Sequence, residues 1–329
     1  MKKSQFIHQI ILIILAISFT FCLFYLTLEI PTLLNILLIP LFPGVDFISP
    51  DWNDLYNVAR IVGSLCFSGI IILIVLGFVL KKEKLSSLGN IILYFPIFGH
   101  FFMAMFVFLG IQWIQVILIP LGDIHDFFNL DNVSITSVFE LPSILVNQFT
   151  SNWSEFNAVL SSISYIFMII GLFLFSIGIL NWLQGTIKKL DVFTFSLYKY
   201  SRHPQYLGYL FWSYGIYLNT LANNIIVRGA FYFDYSFLWF ITLLITIGIC
   251  LYEEVRLTEK YGDKYLQYRS RTSFLIPLPQ ILRKLFMKPL RFVFKKDYPE
   301  KKREILMIVA FYGIFIIIIS LIINQFLIT

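Results

Sequence analysis

The chain has 329 residues, of which 58% are hydrophobic and only 13% are charged, with a formal net charge of +6. Soluble domains carry roughly 25% charged residues, so this composition excludes an ordinary soluble domain and predicts an integral membrane protein. The positive charges fall on predicted loops on one side of a membrane, so they do not indicate a nucleic-acid partner.

Seven apolar stretches are long enough to cross about 30 Å of hydrocarbon as helices. They lie near residues 6–28, 58–80, 91–119, 157–180, 205–221, 235–252 and 305–328. Only helices and closed barrels satisfy all backbone polar groups in lipid, and these runs lack the period-two alternation of barrel strands. The sequence therefore predicts an all-α, polytopic bundle of about seven transmembrane helices.

The lysines and arginines predict the orientation of these helices. If the N-terminus lies in the cytosol, all 25 of these residues except Arg60 and Arg228 fall on cytosolic segments, as the positive-inside rule requires. Seven spans then place the C-terminus outside the cytosol. The chain divides loosely into an N-terminal three-span region at 1–156, a membrane core at 157–280, and a basic segment with a last helix at 281–329.

The basic segment at 281–304 mixes lysines and arginines with leucine and phenylalanine. This pattern predicts an amphipathic segment on the cytosolic interface that is attracted to anionic lipid headgroups. Ordinary positive-inside anchoring of the last helix explains the same charges equally well.

The most unusual polar residues lie at the two ends of one predicted helical hairpin. Residues 202–208 read Arg-His-Pro-Gln-Tyr-Leu-Gly, and a Glu-Glu pair at 253–254 ends the next apolar run. Pro204 fits the first turn of a helix, so Arg202 and His203 lie beside a helix N-terminus, which favours an anionic group. Charged groups are costly near lipid, and we expect both ends to form one polar cytosolic site. An interfacial belt of polar side chains is the competing interpretation.

The two motifs together resemble a known superfamily. The Arg-His-Pro-Gln-Tyr-Leu-Gly run is followed by Glu-Glu-x-x-Leu-x-x-x-Tyr-Gly-x-x-Tyr-x-x-Tyr at 253–268 and then by Pro277. This order is similar to the isoprenylcysteine carboxyl methyltransferase and phospholipid methyltransferase superfamily, over about residues 160–280. The resemblance implies an integral-membrane enzyme that uses S-adenosylmethionine at the cytosolic face.

The resemblance also implies which side chains enclose the cofactor. Arg202 and Glu254 are the expected catalytic residues. The residues expected to contact S-adenosylmethionine are His203, Tyr206, Leu207, Gly208, Glu253, Glu254 and Tyr265. Basic donors at a helix N-terminus suit the carboxylate of this cofactor, and glutamates suit its ammonium or ribose hydroxyls. The scattered histidines and cysteines predict no metal site.

We expect methyl transfer to a lipid-like or prenylated-cysteine acceptor that enters from the bilayer. Proximity, alignment and exclusion of water are the main demands of such a displacement. Two other functions stay open. One is an NADPH-dependent membrane sterol-type reductase, which shares the Arg-His-Pro-x-Tyr-x-Gly helix start. The other is a non-enzymatic seven-span receptor or transporter, for which polar residues at mid-membrane depth are expected.

Overall fold

The computed structural model describes residues 3–38, 52–105, 113–127, 134–223, 235–279, 282 and 298–327. Within these residues the fold is all-α, as predicted, and the only strand-like pairing is an isolated bridge between Ser201 and Ser273. The α-helices are α1 (Lys3–Leu38), α2 (Trp52–Val79), α3 (Glu83–Leu93), α4 (Phe95–Met105), α5 (Ile119–Phe127), α6 (Leu141–Phe149), α7 (Trp153–Ile187), α8 (Pro204–Ala222), α9 (Tyr235–Tyr261), α10 (Asp263–Arg271) and α11 (Lys302–Leu327). Short 3₁₀-helices cover Trp113–Leu118, Ser137–Glu140 and Ser196–Lys199.

In the part of the chain that the structure describes, five helices are long and apolar enough to cross a membrane. Their apolar stretches are Phe6–Leu34, Asn57–Val79, Trp153–Ile187, Tyr235–Tyr261 and Lys302–Gln325. These helices agree with a multi-pass membrane protein, whereas the predicted count of seven spans is not confirmed.

The predicted span at 91–119 is not one continuous helix. α3 ends at Leu93, α4 begins at Phe95, and residues 113–118 form a 3₁₀-helix. Pro96 has no backbone N–H to donate to the preceding turn, so a continuous α-helix would lose a hydrogen bond at this point. The expectation of a single helix here was therefore wrong for the described residues.

The predicted span at 205–221 corresponds to α8, which has 19 residues and an axial length of about 28 Å. α8 is not among the five candidate spans, and it carries several tyrosines together with serine, asparagine and threonine. Most of its side chains are buried in protein, and a helix that avoids lipid does not need a uniformly apolar surface.

Burial also sets α9 apart, since 61% of its most apolar window is buried, against 22–28% in the other four candidate spans.

The described contacts group the chain into two compact units. The first unit comprises Met1–Phe24, Phe167–Ser213 and Thr246–Tyr312, and the second comprises Tyr25–Ile166, Tyr214–Ile245 and Gly313–Thr329. All predicted site residues lie in the first unit. The division into three consecutive regions stays a prediction, and most of the basic segment at 281–304 lies outside the described residues.

Polar side chains link helices inside the second unit. Asn219 of α8 donates through Nδ2 to Ser164 Oγ of α7 at 3.1 Å, and Asn90 of α3 donates to the carbonyl oxygen of Thr242 in α9 at 3.3 Å. All four residues are buried. Such interhelical hydrogen bonds stabilise packing between transmembrane helices, where lipid offers polar groups no partner.

Two glycines let α7 and α8 cross at close range inside the first unit. A Cβ atom at Gly171 would lie 2.4 Å from the backbone nitrogen of Trp212 and 2.7 Å from the carbonyl oxygen of Gly208. A Cβ atom at Gly208 would lie 2.5 Å from the backbone nitrogen of Phe175. The two backbones are in direct contact, so neither position has room for a side chain.

Replacing Gly171 with alanine is expected to separate α7 from α8 and to destabilise the protein by about 1–3 kcal/mol, the usual cost of overpacking. Gly69→Ala is the matched control, because nothing lies within 4 Å of a Cβ atom at that helical glycine. Thermal unfolding of both variants in the same detergent measures the effect. An equal midpoint for the two variants would contradict the close crossing.

Candidate functional site

The chain before α8 is held against the chain after α10. The backbone nitrogen of Arg202 donates to the carbonyl oxygen of Ser273 at 3.0 Å. Ser201, which forms the isolated bridge with Ser273, accepts a hydrogen bond at Oγ from the backbone nitrogen of His203 at 3.3 Å. Pro204 is the first residue of α8, a position where its missing N–H costs no hydrogen bond within the helix. These contacts fix the direction in which Arg202 and His203 leave the backbone.

Arg202, His203 and Glu254 form a buried cluster. The Nε atom of Arg202 lies 3.1 Å from Glu254 Oε1, and His203 Nε2 lies 3.2 Å from the same oxygen. The exposed fractions of these side chains are 3% for Arg202, 4% for His203 and 2% for Glu254. The start of α8 and the end of α9 therefore meet, as the two sequence motifs predicted.

Glu253 contacts the other edge of the His203 ring. Its Oε2 atom lies 3.6 Å from His203 Nδ1, and its Oε1 atom accepts a hydrogen bond from the Tyr206 hydroxyl at 2.8 Å. Burial opposes the charged imidazolium, but the Cys250 thiol and the carboxylates of Glu253 and Glu254 outweigh it and hold the pKa of His203 well above its ordinary value. A protonated ring can donate to Glu254 through Nε2 and attract the Glu253 carboxylate beside Nδ1.

Among the residues that the structure describes, two members of the cluster keep polar atoms without a hydrogen-bond partner. They are Nε and Nη1 of Arg202 and Oε2 of Glu254. Arg202 Nε is close to Glu254 in distance, but the pair lacks the angles of a hydrogen bond. A buried unsatisfied polar group costs about 1–3 kcal/mol, and more when it is charged. A ligand that carries both an anionic group and a donor group would satisfy these atoms, and S-adenosylmethionine has such groups in its carboxylate and its ammonium.

The remaining predicted residues lie on α8 and α10. Tyr265 of α10 is 2% exposed, and burial raises the pKa of its phenol, which is therefore neutral at physiological pH. Leu207 is buried on α8. Gly208 packs against α7. Its missing side chain therefore permits the close approach of another helix. Cofactor contacts of Leu207, Gly208 and Tyr265, and the catalytic roles of Arg202 and Glu254, stay predictions.

Three aromatic and basic side chains that the motifs did not single out surround Arg202. Its guanidinium lies over the rings of Phe274 and Tyr298, at 5.5 Å and 5.6 Å from their centroids. Arg269 of α10 lies over the same Tyr298 ring at 4.0 Å. Tyr298 has no fixed spacing to either motif, so the sequence offered no signal for it. Arg269 lies four residues after Tyr265, so the helical spacing of the tyrosines in α10 could have indicated that Arg269 shares their face.

Comparisons with known proteins address the region that contains this cluster. The model of a family described as a protein of unknown function, DUF1295, matches residues 112–272. Methanethiol S-methyltransferase 1 of Bradyrhizobium diazoefficiens is 37% identical over 83 residues, which cover 25% of this chain and 24% of that protein.

The two matches support a likeness of this region to a membrane methyltransferase-like superfamily. The resemblance drawn from the two motifs is confirmed at this level. The alignment spans only about a quarter of the methanethiol methyltransferase, so it does not carry that protein's substrate to this chain. No solved structure matches the chain.

The two adjacent glutamates should differ in their effect on stability. Glu254→Ala leaves the buried Arg202 without its counter-charge, and we expect a loss of about 3–5 kcal/mol, the range for breaking a buried ion pair. Glu253→Ala removes one hydrogen bond at a carboxylate that is 28% exposed, and we expect a loss of about 1 kcal/mol. Unfolding of both variants in one detergent measures the difference, and similar losses would contradict the asymmetry.

Proposed function

We propose that this chain is an integral-membrane methyltransferase that uses S-adenosylmethionine and methylates a lipid-like or prenylated-cysteine acceptor at the cytosolic face. The observation that supports this most is the buried Arg202–His203–Glu254 cluster in the matched region, whose charged groups keep hydrogen-bonding atoms that no described residue satisfies. When bound, the cofactor would supply a methyl group that is activated by its positively charged sulfur.

The chain's own residues would bind and orient the cofactor. Arg202 Nη1 is a suitable donor for its carboxylate, and Glu254 Oε2 is a suitable acceptor for its ammonium. Glu253, which the Tyr206 hydroxyl holds at 2.8 Å, is a suitable acceptor for ribose hydroxyls. Burial of the cluster removes competing water, which strengthens these charged interactions.

The cytosolic placement rests on the positive charges. Lysines and arginines lie in the last turns of α9 and in α10, and the positive-inside rule assigns such segments to the cytosol. The basic segment at 281–304 would bind anionic headgroups on that leaflet. An acceptor with a hydrocarbon tail would reach the cluster from the bilayer, because four of the five candidate spans bury only 22–28% of their most apolar window inside the protein.

A small alkyl thiol is a second candidate acceptor. The name of the 37% identical relative specifies methanethiol as the acceptor of that enzyme. A thiolate and a prenylcysteine carboxylate are both nucleophiles that attack a sulfonium methyl group, and the thiol must first lose its proton to solvent. They differ in size and in charge, so a substrate comparison separates them.

Methyl transfer from labelled S-adenosylmethionine tests the proposal. The purified full-length chain in lipid nanodiscs is incubated with labelled cofactor and, in separate arms, total lipid extract, a prenylcysteine or methanethiol. Label in lipid or prenylcysteine supports the proposed acceptor class, and label in methanethiol alone assigns the smaller thiol. No cofactor binding and no transfer in any arm, with spectroscopic binding of NADPH, would replace the proposal with the reductase.

Tyr206→Phe should weaken binding of S-adenosylmethionine by about fivefold, because it removes the hydroxyl that orients Glu253 and forfeits roughly 1 kcal/mol. Tyr200→Phe is the control, since Tyr200 is 63% exposed and lies just outside α8. Calorimetric titration of both variants in nanodiscs gives the two dissociation constants. Equal constants would remove Tyr206 from the cofactor site.

A further inference from the structure

We propose that Tyr298 is a positioning residue that orients Arg202 and Arg269 as a two-guanidinium subsite for a carboxylate. Tyr298 precedes α11 and lies beyond the matched residues 112–272. The geometry of the subsite is independent of the proposed function, and only the identity of the carboxylate rests on it.

The ring of Tyr298 holds the two guanidiniums without using their hydrogen-bond donors. Arg269 Cζ lies 4.0 Å from the ring centroid, and Arg202 Cζ lies 5.6 Å from it. A guanidinium that lies over an aromatic ring engages it by its face, which leaves the N–H groups along its edge for a planar anion. Phe274 adds a second ring beside Arg202, at 5.5 Å.

The charges around this ring favour an additional anion. Arg202 and Arg269 are each at least 90% buried, yet Glu254 Oε1 is shared between Arg202 and His203. Burial lowers the pKa of Arg269, and the nearby positive charge of Arg202 lowers it further, whereas Glu254 acts in the opposite direction. Arg202 Nη1 has no hydrogen-bond partner in the described part of the chain. A carboxylate would relieve the repulsion between the two cations and accept from that donor.

The neighbouring elements hold Tyr298 and Arg269 in place. Arg269 Nη1 donates to Thr258 Oγ1 at 3.3 Å, and this hydroxyl donates to the carbonyl oxygen of Glu254 at 2.7 Å. Lys302, at the start of α11, lies over the ring of Tyr252 in α9 at 5.2 Å. The segment before α11 is therefore docked on the same end of α9 that carries the glutamates.

Two molecules could supply the carboxylate. One is S-adenosylmethionine, through its amino-acid end, and the other is a prenylcysteine acceptor with a free carboxyl group. The shared chemistry is a carboxylate presented to two guanidiniums that lie over the same ring. The binding arms of the experiment distinguish the two sources.

The experiment compares Tyr298→Leu with Tyr298→Phe in full-length protein in nanodiscs. The probes are S-adenosylhomocysteine, decarboxylated S-adenosylmethionine and a prenylcysteine, each measured by calorimetric titration. If the cofactor supplies the carboxylate, Tyr298→Leu binds S-adenosylhomocysteine about tenfold more weakly than the wild type. The same variant binds the decarboxylated compound like the wild type. Tyr298→Phe, which keeps the ring, binds both compounds normally. If the acceptor supplies it, the loss appears with prenylcysteine alone. Unchanged binding of both carboxylates by Tyr298→Leu would overturn the proposal.

A second measurement needs no cofactor. Phenylglyoxal modification of Arg202 and Arg269, followed by mass spectrometry, should be faster in Tyr298→Leu than in the wild type or Tyr298→Phe. Equal rates would overturn the positioning role even if the enzyme is active. If wild-type protein binds no S-adenosylhomocysteine, the proposed function fails, while faster modification in Tyr298→Leu still supports Tyr298. Arg269→Gln, which keeps a donor for Thr258, provides the same binding test if Tyr298→Leu does not fold.

Discussion

The buried ion pair between Arg202 and Glu254 is the constraint on which the site depends. Each charge taken out of water costs several kcal/mol unless an opposite charge compensates it. Arg202 precedes α8 and Glu254 lies near the end of α9, so the requirement for pairing holds these two helix ends together. His203 lies between the two glutamates and extends the pair into a network, which also reaches Tyr206.

The helices that carry this network are those most protected from lipid. α8 is largely buried and most of the apolar window of α9 is buried, whereas the other candidate spans expose most of their apolar side chains. Gly171 and Gly208 bring α7 into backbone contact with α8 near the site. A tightly packed, lipid-shielded helix pair can keep charged side chains at its end, because each of them finds protein partners there instead of hydrocarbon.

The sequence predicted the features that local chemistry determines. Arg202, His203 and Glu254 were recognisable because charged residues beside apolar runs require partners. Pro96 also indicates a helix break near Tyr94, but the continuous apolar stretch 91–119 led to the prediction of one helix. Tyr298 was not predictable, since its position over Arg202 and Arg269 depends on how the chain returns after the basic segment. The glycine at 208 predicted a close approach to the backbone, but the sequence did not indicate that α7 makes this contact.

The hydrogen bonds of the cluster favour the proposed ligand site over a purely structural ion pair. A structural arginine–carboxylate pair in a protein interior commonly forms two parallel hydrogen bonds, which satisfy both partners. Here a single oxygen of Glu254 faces both Arg202 and His203, and no described residue hydrogen-bonds Oε2 of Glu254 or Nη1 of Arg202. Helix packing alone gives no reason to retain these atoms in the interior. A ligand that binds through a carboxylate and a second polar group gives both atoms a partner, and it explains why the network is buried yet incomplete.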